Sequence, residues 1–242
     1  MINNNLIFRN SIQIKSLKAD YKKLSKKFEK IYLDLKSDIK KKNRTLNILD
    51  KNFRFSFKIN DLKKFKKYKS IAIIGMGGSI LGAEAIHNFF QSKIKKNIYF
   101  FNNIDENKIT YFKKRENISK VLYIVVSKSG NTIETLSNLF SLNIVKKNAR
   151  NIIILTEKKN NTLFLLAKKF NLFFVEHKKY IGGRFSVLSE VGILPAYLMG
   201  INISKFRSKI FDCLERKNKS FLKDSTIKIA NLLFIKANIL RN

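Results

Sequence analysis

Cysteine, proline, glycine and acid are all scarce in this chain. The single cysteine, Cys213, excludes a disulfide framework and a cysteine-based zinc site. One proline and nine glycines in 242 residues exclude a collagenous or proline-rich chain. No apolar run reaches the roughly 18 residues needed to cross a bilayer. Residues 1–10 lack a long apolar stretch, so no secretory signal is expected and the expected location is the cytoplasm. A hydrophobic fraction of 45% supplies ample core, and the length suits one large domain or one and a half.

Acid is outnumbered by base, 17 residues against 50, for a net charge of +33. Such a charge first suggests nucleic acid or an anionic membrane. The make-up of the charge argues otherwise. Only nine of the 50 basic residues are arginine, and Asn, Ile and Phe are abundant as well. Lys, Asn, Ile and Phe share A/T-rich codons, so a base bias in the genome accounts for them without a binding surface. Nucleic-acid readers favour arginine for bidentate contacts. Neither a specific nucleic acid nor a membrane is expected as a partner.

Residues 12–40 carry Ile14, Leu17, Tyr21, Leu24, Phe28, Ile31, Tyr32 and Leu35 at helical spacing. A polar stretch, 41–60, and a short helix, 63–67, follow. From Ser70 the character changes. Apolar runs at 71–74, 98–101, 121–126, 152–155 and 172–175 read as buried strands. Helical segments at 80–90, 107–115, 132–145 and 162–170 separate them. Five strands alternating with helices imply a parallel sheet. After Gly182 and Gly183 only helices are expected, at about 187–199, 203–216 and 221–240.

Ligands bind such sheets at the carboxyl ends of the strands, where helix N-termini offer free N–H groups. Two strand-to-helix junctions suit an anion. Gly75-Met76-Gly77-Gly78-Ser79-Ile80-Leu81-Gly82 lets a ligand approach the backbone. Ile80 breaks a dinucleotide fingerprint, Ala83-Glu84 replaces the Lys-Ser/Thr of a P-loop, and Leu81 breaks a nucleophile elbow. A plain tight turn remains the alternative. Ser127-Lys128-Ser129-Gly130-Asn131-Thr132-Ile133-Glu134-Thr135 places hydroxyls and a lysine at a helix start, where they can hold a phosphate without metal. Its alternative is simple capping, with Asn131 as N-cap and Glu134 as its capping-box partner. In the third segment, Gly182-Gly183-Arg184-Phe185-Ser186, two glycines can bring Arg184 to a developing oxyanion. A surface arginine in a turn is the alternative there.

Together, in this order and spacing, the three segments resemble the glucose-6-phosphate isomerase (phosphoglucose isomerase) family over roughly residues 65–240. The run from Gly182 to Pro195 is the most specific of them; the middle loop alone would also fit other sugar-isomerase (SIS) domains. The resemblance implies an α/β fold: an SIS-type three-layer αβα sandwich on a five-stranded parallel sheet, preceded by an N-terminal helix and followed by helices. It divides the chain into an extension at 1–64, a sugar-phosphate domain at 65–180, and a signature segment with helices at 181–242. It implies that Ser127, Ser129 and Thr132 bind the substrate phosphate, helped by the backbone at Lys128 and by Ser79. Gly77 and Gly78 would line the sugar. Arg184 would stabilise a cis-enediolate, and Glu134 would organise the loop. The implied reaction interconverts glucose 6-phosphate and fructose 6-phosphate in glycolysis and gluconeogenesis. It uses no cofactor and no metal, and the complete protein would be a homodimer.

One departure from the family is large. The family has a second SIS-like subdomain that supplies the proton-abstracting glutamate, a histidine from the dimer partner and a ring-opening lysine. No counterpart is found here. His87 and His177 read as ordinary core or surface histidines, and Glu84 and Glu190 are not evident bases. The expectation is an isomerase that is incomplete or split, inactive alone, with Leu232, Leu233, Phe234, Ile235 and Leu240 left uncovered. The competing expectation is a stand-alone SIS module that senses a sugar phosphate and regulates a partner.

Overall fold

β-Branched and aliphatic runs with no polar interruption can be satisfied only between two covering layers, and that is where the central strands lie. The computed structural model describes residues 18–214 and 219–239. It begins with α1 (Lys18–Lys40), a 3-10 turn at Thr45–Leu49 and the short α2 (Ile59–Leu62). Then β1 (Ser70–Gly75), α3 (Leu81–Phe89), β2 (Asn97–Phe101), α4 (Glu106–Arg115), β3 (Val121–Val126), α5 (Ile133–Ser141), β4 (Ile152–Thr156), α6 (Thr162–Lys169) and β5 (Phe173–Glu176) alternate. Helices α7 (Glu190–Leu198), α8 (Ile203–Leu214) and α9 (Lys219–Ile239) close the described chain. None of the described helices is long and apolar enough to cross a membrane.

The five strands form one parallel sheet in the order β2-β1-β3-β4-β5. Every residue of β1, β3 and β4 is buried. Side chains alternate between two cores. Ile71, Ile73, Leu122, Ile124, Ile153 and Leu155 pack with Ile80, Ala83 and Ile86 around α3 and with Val191, Leu194 and Leu198 of α7. Ala72, Ile74, Tyr123, Val125, Ile152 and Ile154 pack with Ile109 and Phe112 of α4, Leu139 of α5, and Leu163 and Ala167 of α6. The result is the expected α/β sandwich of three layers.

The chain N-terminal to the sheet is more ordered than its composition suggested. The nominally polar stretch holds the buried Ile48 and Phe53, which pack with Ile181. Arg207, buried in α8, donates to the carbonyls of Ile48 and Asp50, each at 3.0 Å, and of Leu188 at 3.2 Å. Its guanidinium lies 5.1 Å from the Phe55 ring centroid. An arginine fork spent on three carbonyls thus fastens this arm to the αβα body.

Three expectations need correction. In α1, Phe28 and Tyr32 are buried but Ile31 is exposed, so the apolar stripe is narrower than drawn. Ile14 and Leu17 lie outside the described residues. The segment expected to be helical over 132–145 ends earlier, because Asn143 takes a left-handed backbone with φ of 51°. At the far end, α9 is not bare: Ile227 and Asn231 are buried, and Tyr21 of α1 donates to Asp224. Leu233 is exposed as expected. The side chains of Leu232, Phe234 and Ile235, and Leu240 as a whole, lie outside what is described.

Candidate functional site

A strand order that reverses direction leaves a crevice where the two neighbours send their connections to opposite faces. Here that point lies between β1 and β3, paired through Gly75 and Val126. Strand β1 leads to α3 in one layer and β3 to α5 in the other. The two glycine- and hydroxyl-rich junctions therefore stand side by side at the same edge of the sheet.

The first junction is a 3-10 turn at Gly77–Ser79. Gly77 has φ of +52°, in the left-handed region, and a Cβ there would meet nothing within 4 Å. Its backbone is open to a ligand. Gly78 is the opposite case: a Cβ would come within 2.5 Å of the Gly183 carbonyl carbon and oxygen. Two backbones touch there, so the third segment lies directly on the first. Ser186 fixes the contact, its Oγ reaching the carbonyl oxygens of Gly183 at 2.6 Å and Gly78 at 3.0 Å. Arg184, in the 3-10 turn Gly183–Phe185, is exposed and makes no hydrogen bond or ion pair among the described residues.

The second junction gathers three hydroxyls. Thr132 Oγ1 is 2.8 Å from Ser127 Oγ and 3.3 Å from Ser129 Oγ, and the two serines are 3.3 Å apart. Ser127 is buried and also accepts from the Gly130 N–H at 3.1 Å. The Lys128 side chain turns away from this triangle. Its Nζ donates to the carbonyls of Lys179 at 2.7 Å and Ile181 at 2.9 Å, and stands 3.7 Å from Glu157 Oε1. What Lys128 offers an anion is its backbone.

Four of the described helices start on a side-chain acceptor, whereas the short α2 and both helices at the crevice do not. Asp105 caps α4, Asn161 caps α6, Ser189 caps α7 and Asn202 accepts from Lys205 in α8. The two helices that start at the crevice, α3 and α5, have no side-chain cap. Their first N–H groups and partial positive charge are left for something else. This overturns the capping alternative for the second loop. The N-cap of α5 is Thr132, not Asn131, and Asn131 Oδ1 instead accepts from the Thr162 N–H at 2.8 Å. It ties the loop to the start of α6.

Sequence reasoning missed the residues that hold the loops. Asn161 caps α6, accepting from Phe164 at 3.0 Å, and its carboxamide fills the space beside Gly130. A cap residue ahead of the apolar run 163–167 was the available signal. Glu134 sits half-buried on the first turn of α5 without a hydrogen bond or ion pair among the described residues. Glu190 is buried and committed elsewhere: Oε1 accepts from the Ser56 N–H at 2.9 Å and faces Lys178 Nζ at 3.6 Å. His87 is half-buried against the Phe100 ring, away from the junction. His177 is buried, and desolvation pushes its pKa below the usual value. Among the described residues, no three His, Cys, Asp or Glu side chains gather where they could hold a metal. The arrangement suits a phosphate met by hydroxyls and peptide N–H groups, and Arg184 lies on the segment that packs against the first junction.

Comparison with known proteins points to one family. The phosphoglucose isomerase family model matches residues 25–233. A glucose-6-phosphate isomerase from Methanocaldococcus jannaschii is 32% identical over 155 residues, covering 61% of this chain and 37% of that protein. The chain spans from about a quarter to two-fifths of the length of the curated relatives it matches. Among solved structures, a hypothetical protein from Thermus thermophilus superposes with a TM-score of 0.67 at 23% identity, over 90% of this chain and 55% of that one. A glucose-6-phosphate isomerase from Chlamydia trachomatis gives 0.53 at 21% identity, over 88% of this chain and 38% of that one. Likeness at this identity speaks for the fold.

Proposed function

Because the chain belongs to the phosphoglucose isomerase family, we propose that it carries the phosphate- and oxyanion-binding part of an aldose-ketose isomerase acting on glucose 6-phosphate and fructose 6-phosphate. The observation that carries this reading is the pair of uncapped helix starts, α3 and α5, meeting at the β1/β3 crevice beside three clustered hydroxyls. A phosphate dianion seated there accepts from Ser127, Ser129 and Thr132, from the Lys128 backbone and from the first turn of α5. Ser79 helps to hold the same phosphate, and the open backbone at Gly77 lines the sugar, with Gly78 packed on Gly183 beside it. Proton transfer between C1 and C2 of the open-chain sugar puts negative charge on the C1 and C2 oxygens. In this reading Arg184 meets that charge in the enediolate, where a fixed cation lowers the barrier more than it favours the substrate.

We assign the proton-transferring base to none of this chain's carboxylates. Glu190 is held by Ser56 and Lys178, and Glu134 serves the loop region. In this reading the base belongs to the larger part of the family fold that the chain does not span. Three large apolar side chains at the loops support closure by a further surface. Leu81, Ile133 and Phe185 each follow one of the loops and are 57%, 74% and 61% exposed. The assembly would be a cytoplasmic homodimer.

Calorimetric titration tests the reading. The chain should bind inorganic phosphate and glucose 6-phosphate competitively. The double variant Ser129→Ala, Thr132→Val should weaken both about a hundredfold or more, each lost hydrogen bond to a charged group contributing about 1.5–3 kcal/mol. Absence of binding by the wild-type chain would sink the reading. Phosphate binding with equal affinity by the variant would move the site elsewhere.

A further inference from the structure

The Lys128 ammonium has three donors and uses them in one direction. Two go to the carbonyls of Lys179 and Ile181, at 2.7 and 2.9 Å, and the third side faces the Glu157 carboxylate at 3.7 Å. Ile181 is the residue immediately before Gly182-Gly183-Arg184, and it is fully buried against Ile48 and Phe53. The backbone of the same lysine lies in the phosphate loop between Ser127 and Ser129. One residue therefore joins the loop that would seat the phosphate to the segment that would present Arg184.

Few other contacts do this work. Arg184 itself has no hydrogen bond or ion pair among the described residues, and the two glycines before it impose little on its backbone. Its place is set from its flanks. On one side stands the Gly78–Gly183 contact with its Ser186 hydrogen bonds. On the other stand the Lys128 tie at Lys179 and Ile181, the Thr45 hydroxyl donating to the Tyr180 carbonyl at 2.8 Å and the packing of Ile181 on Ile48 and Phe53; of these, only the Lys128 tie starts from the phosphate loop. We propose that Lys128 is a positioning residue whose side chain sets where Arg184 stands relative to the bound phosphate, rather than a ligand of the phosphate. This rests on the isomerase reading of the same site.

The test separates the two ends of the tie. Three probes are titrated into the 242-residue chain: inorganic phosphate, D-arabitol 5-phosphate and 5-phospho-D-arabinonate. The last carries a carboxylate where the enediolate oxygens would develop; the second has a hydroxyl there. The wild-type chain should prefer the carboxylate over the alcohol by about tenfold or more, and Arg184→Gln should erase the preference. Lys128→Met keeps the methylene packing and removes the donors. It should cut the preference about fivefold or more while phosphate affinity stays within about twofold, since a shift of about 1 Å in a catalytic group is costly even when the rest of the site is intact. A merely structural lysine would lower phosphate affinity and preference together, and that result overturns the proposal. So does a preference equal to wild type in Lys128→Met. If Lys128→Met fails to fold, Lys128→Arg gives the same readout, because a planar fork cannot reproduce the two carbonyl bonds and the carboxylate contact together. A wild-type chain that binds phosphate but shows no carboxylate preference would overturn the isomerase reading itself, which is a different result from a wild-type preference that Lys128 variants leave intact.

Discussion

At the scale of single residues, two glycines with left-handed backbones have opposite surroundings, and the contrast can be measured. Gly77 stands in open space, whereas a Cβ on Gly130 would fall 1.8 Å from Asn161 Oδ1. Gly77→Ala should therefore cost only the conformational term, roughly 1–2 kcal/mol. Gly130→Ala should cost that and also dislodge the cap of α6, for roughly 2–4 kcal/mol in total. Urea midpoints of the two variants check the difference; equal losses would mean that Asn161 gives way freely. The sequence announced both glycines as loop residues. It could not say which one is packed, because the neighbour of Gly130 comes from a helix 31 positions further on, at Asn161. The glycines before Arg184 marked a turn in the sequence, but the close approach is enforced from the other loop: a Cβ on Gly78 would fall 2.5 Å from the Gly183 carbonyl, whereas one on Gly183 would stand 3.9 Å from Gly78 Cα.

At the scale of elements, the strands were legible because burial on both faces leaves an uninterrupted apolar run, as in 121–126. The ends of helices were less so. Asn131 has the composition of an N-cap, yet its side chain serves the neighbouring helix, because α6 starts within reach of the loop. Local pattern cannot show which of two adjacent helix starts a carboxamide will satisfy. The end of β5 carries a titration. His177 is buried beside Lys128 and Glu157, and its folded pKa lies below the ordinary value of 6.5. Desolvation is the main cause, with Lys128 pushing the same way and the Lys178 carbonyl and Glu157 opposing. The unfolded chain then binds the proton more readily than the folded one. The contribution of His177 to stability is complete above pH 6.5 and is lost as pH falls from 6.5 through the folded value. Urea midpoints at about pH 7.5 and 5.5, above and below the ordinary value of 6.5, should differ more for the wild type than for His177→Gln. Equal differences would place the acid sensitivity elsewhere.

At the scale of the whole molecule, neither the strand order nor the role of the N-terminal arm was readable. Parallel pairing brings β1 beside β3 across an intervening strand and two helices, and periodicity carries no record of which strands become neighbours. The arm at 45–57 carries apolar anchors at Ile48, Leu49, Phe53, Phe55 and Phe57, but its binding partner Arg207 lies far along the chain, beyond the reach of local pattern. The strand order also bears on time. The phosphate seat is whole in neither βα unit alone: its three clustered hydroxyls lie in the β3–α5 loop, while Ser79 lies in the β1–α3 turn. It is complete only once Gly75 and Val126 have been paired, at the end of a search dominated by distant contacts. An anion that recognises the finished crevice has nothing to hold in the transition state if that pairing comes late. Phosphate should then act as a brake on unfolding and leave the refolding rate nearly untouched. Stopped-flow kinetics with and without millimolar phosphate reads this directly. An accelerated refolding limb would mean that the β1/β3 junction is built early, and that the ligand helps to nucleate the sheet rather than merely guarding it once made.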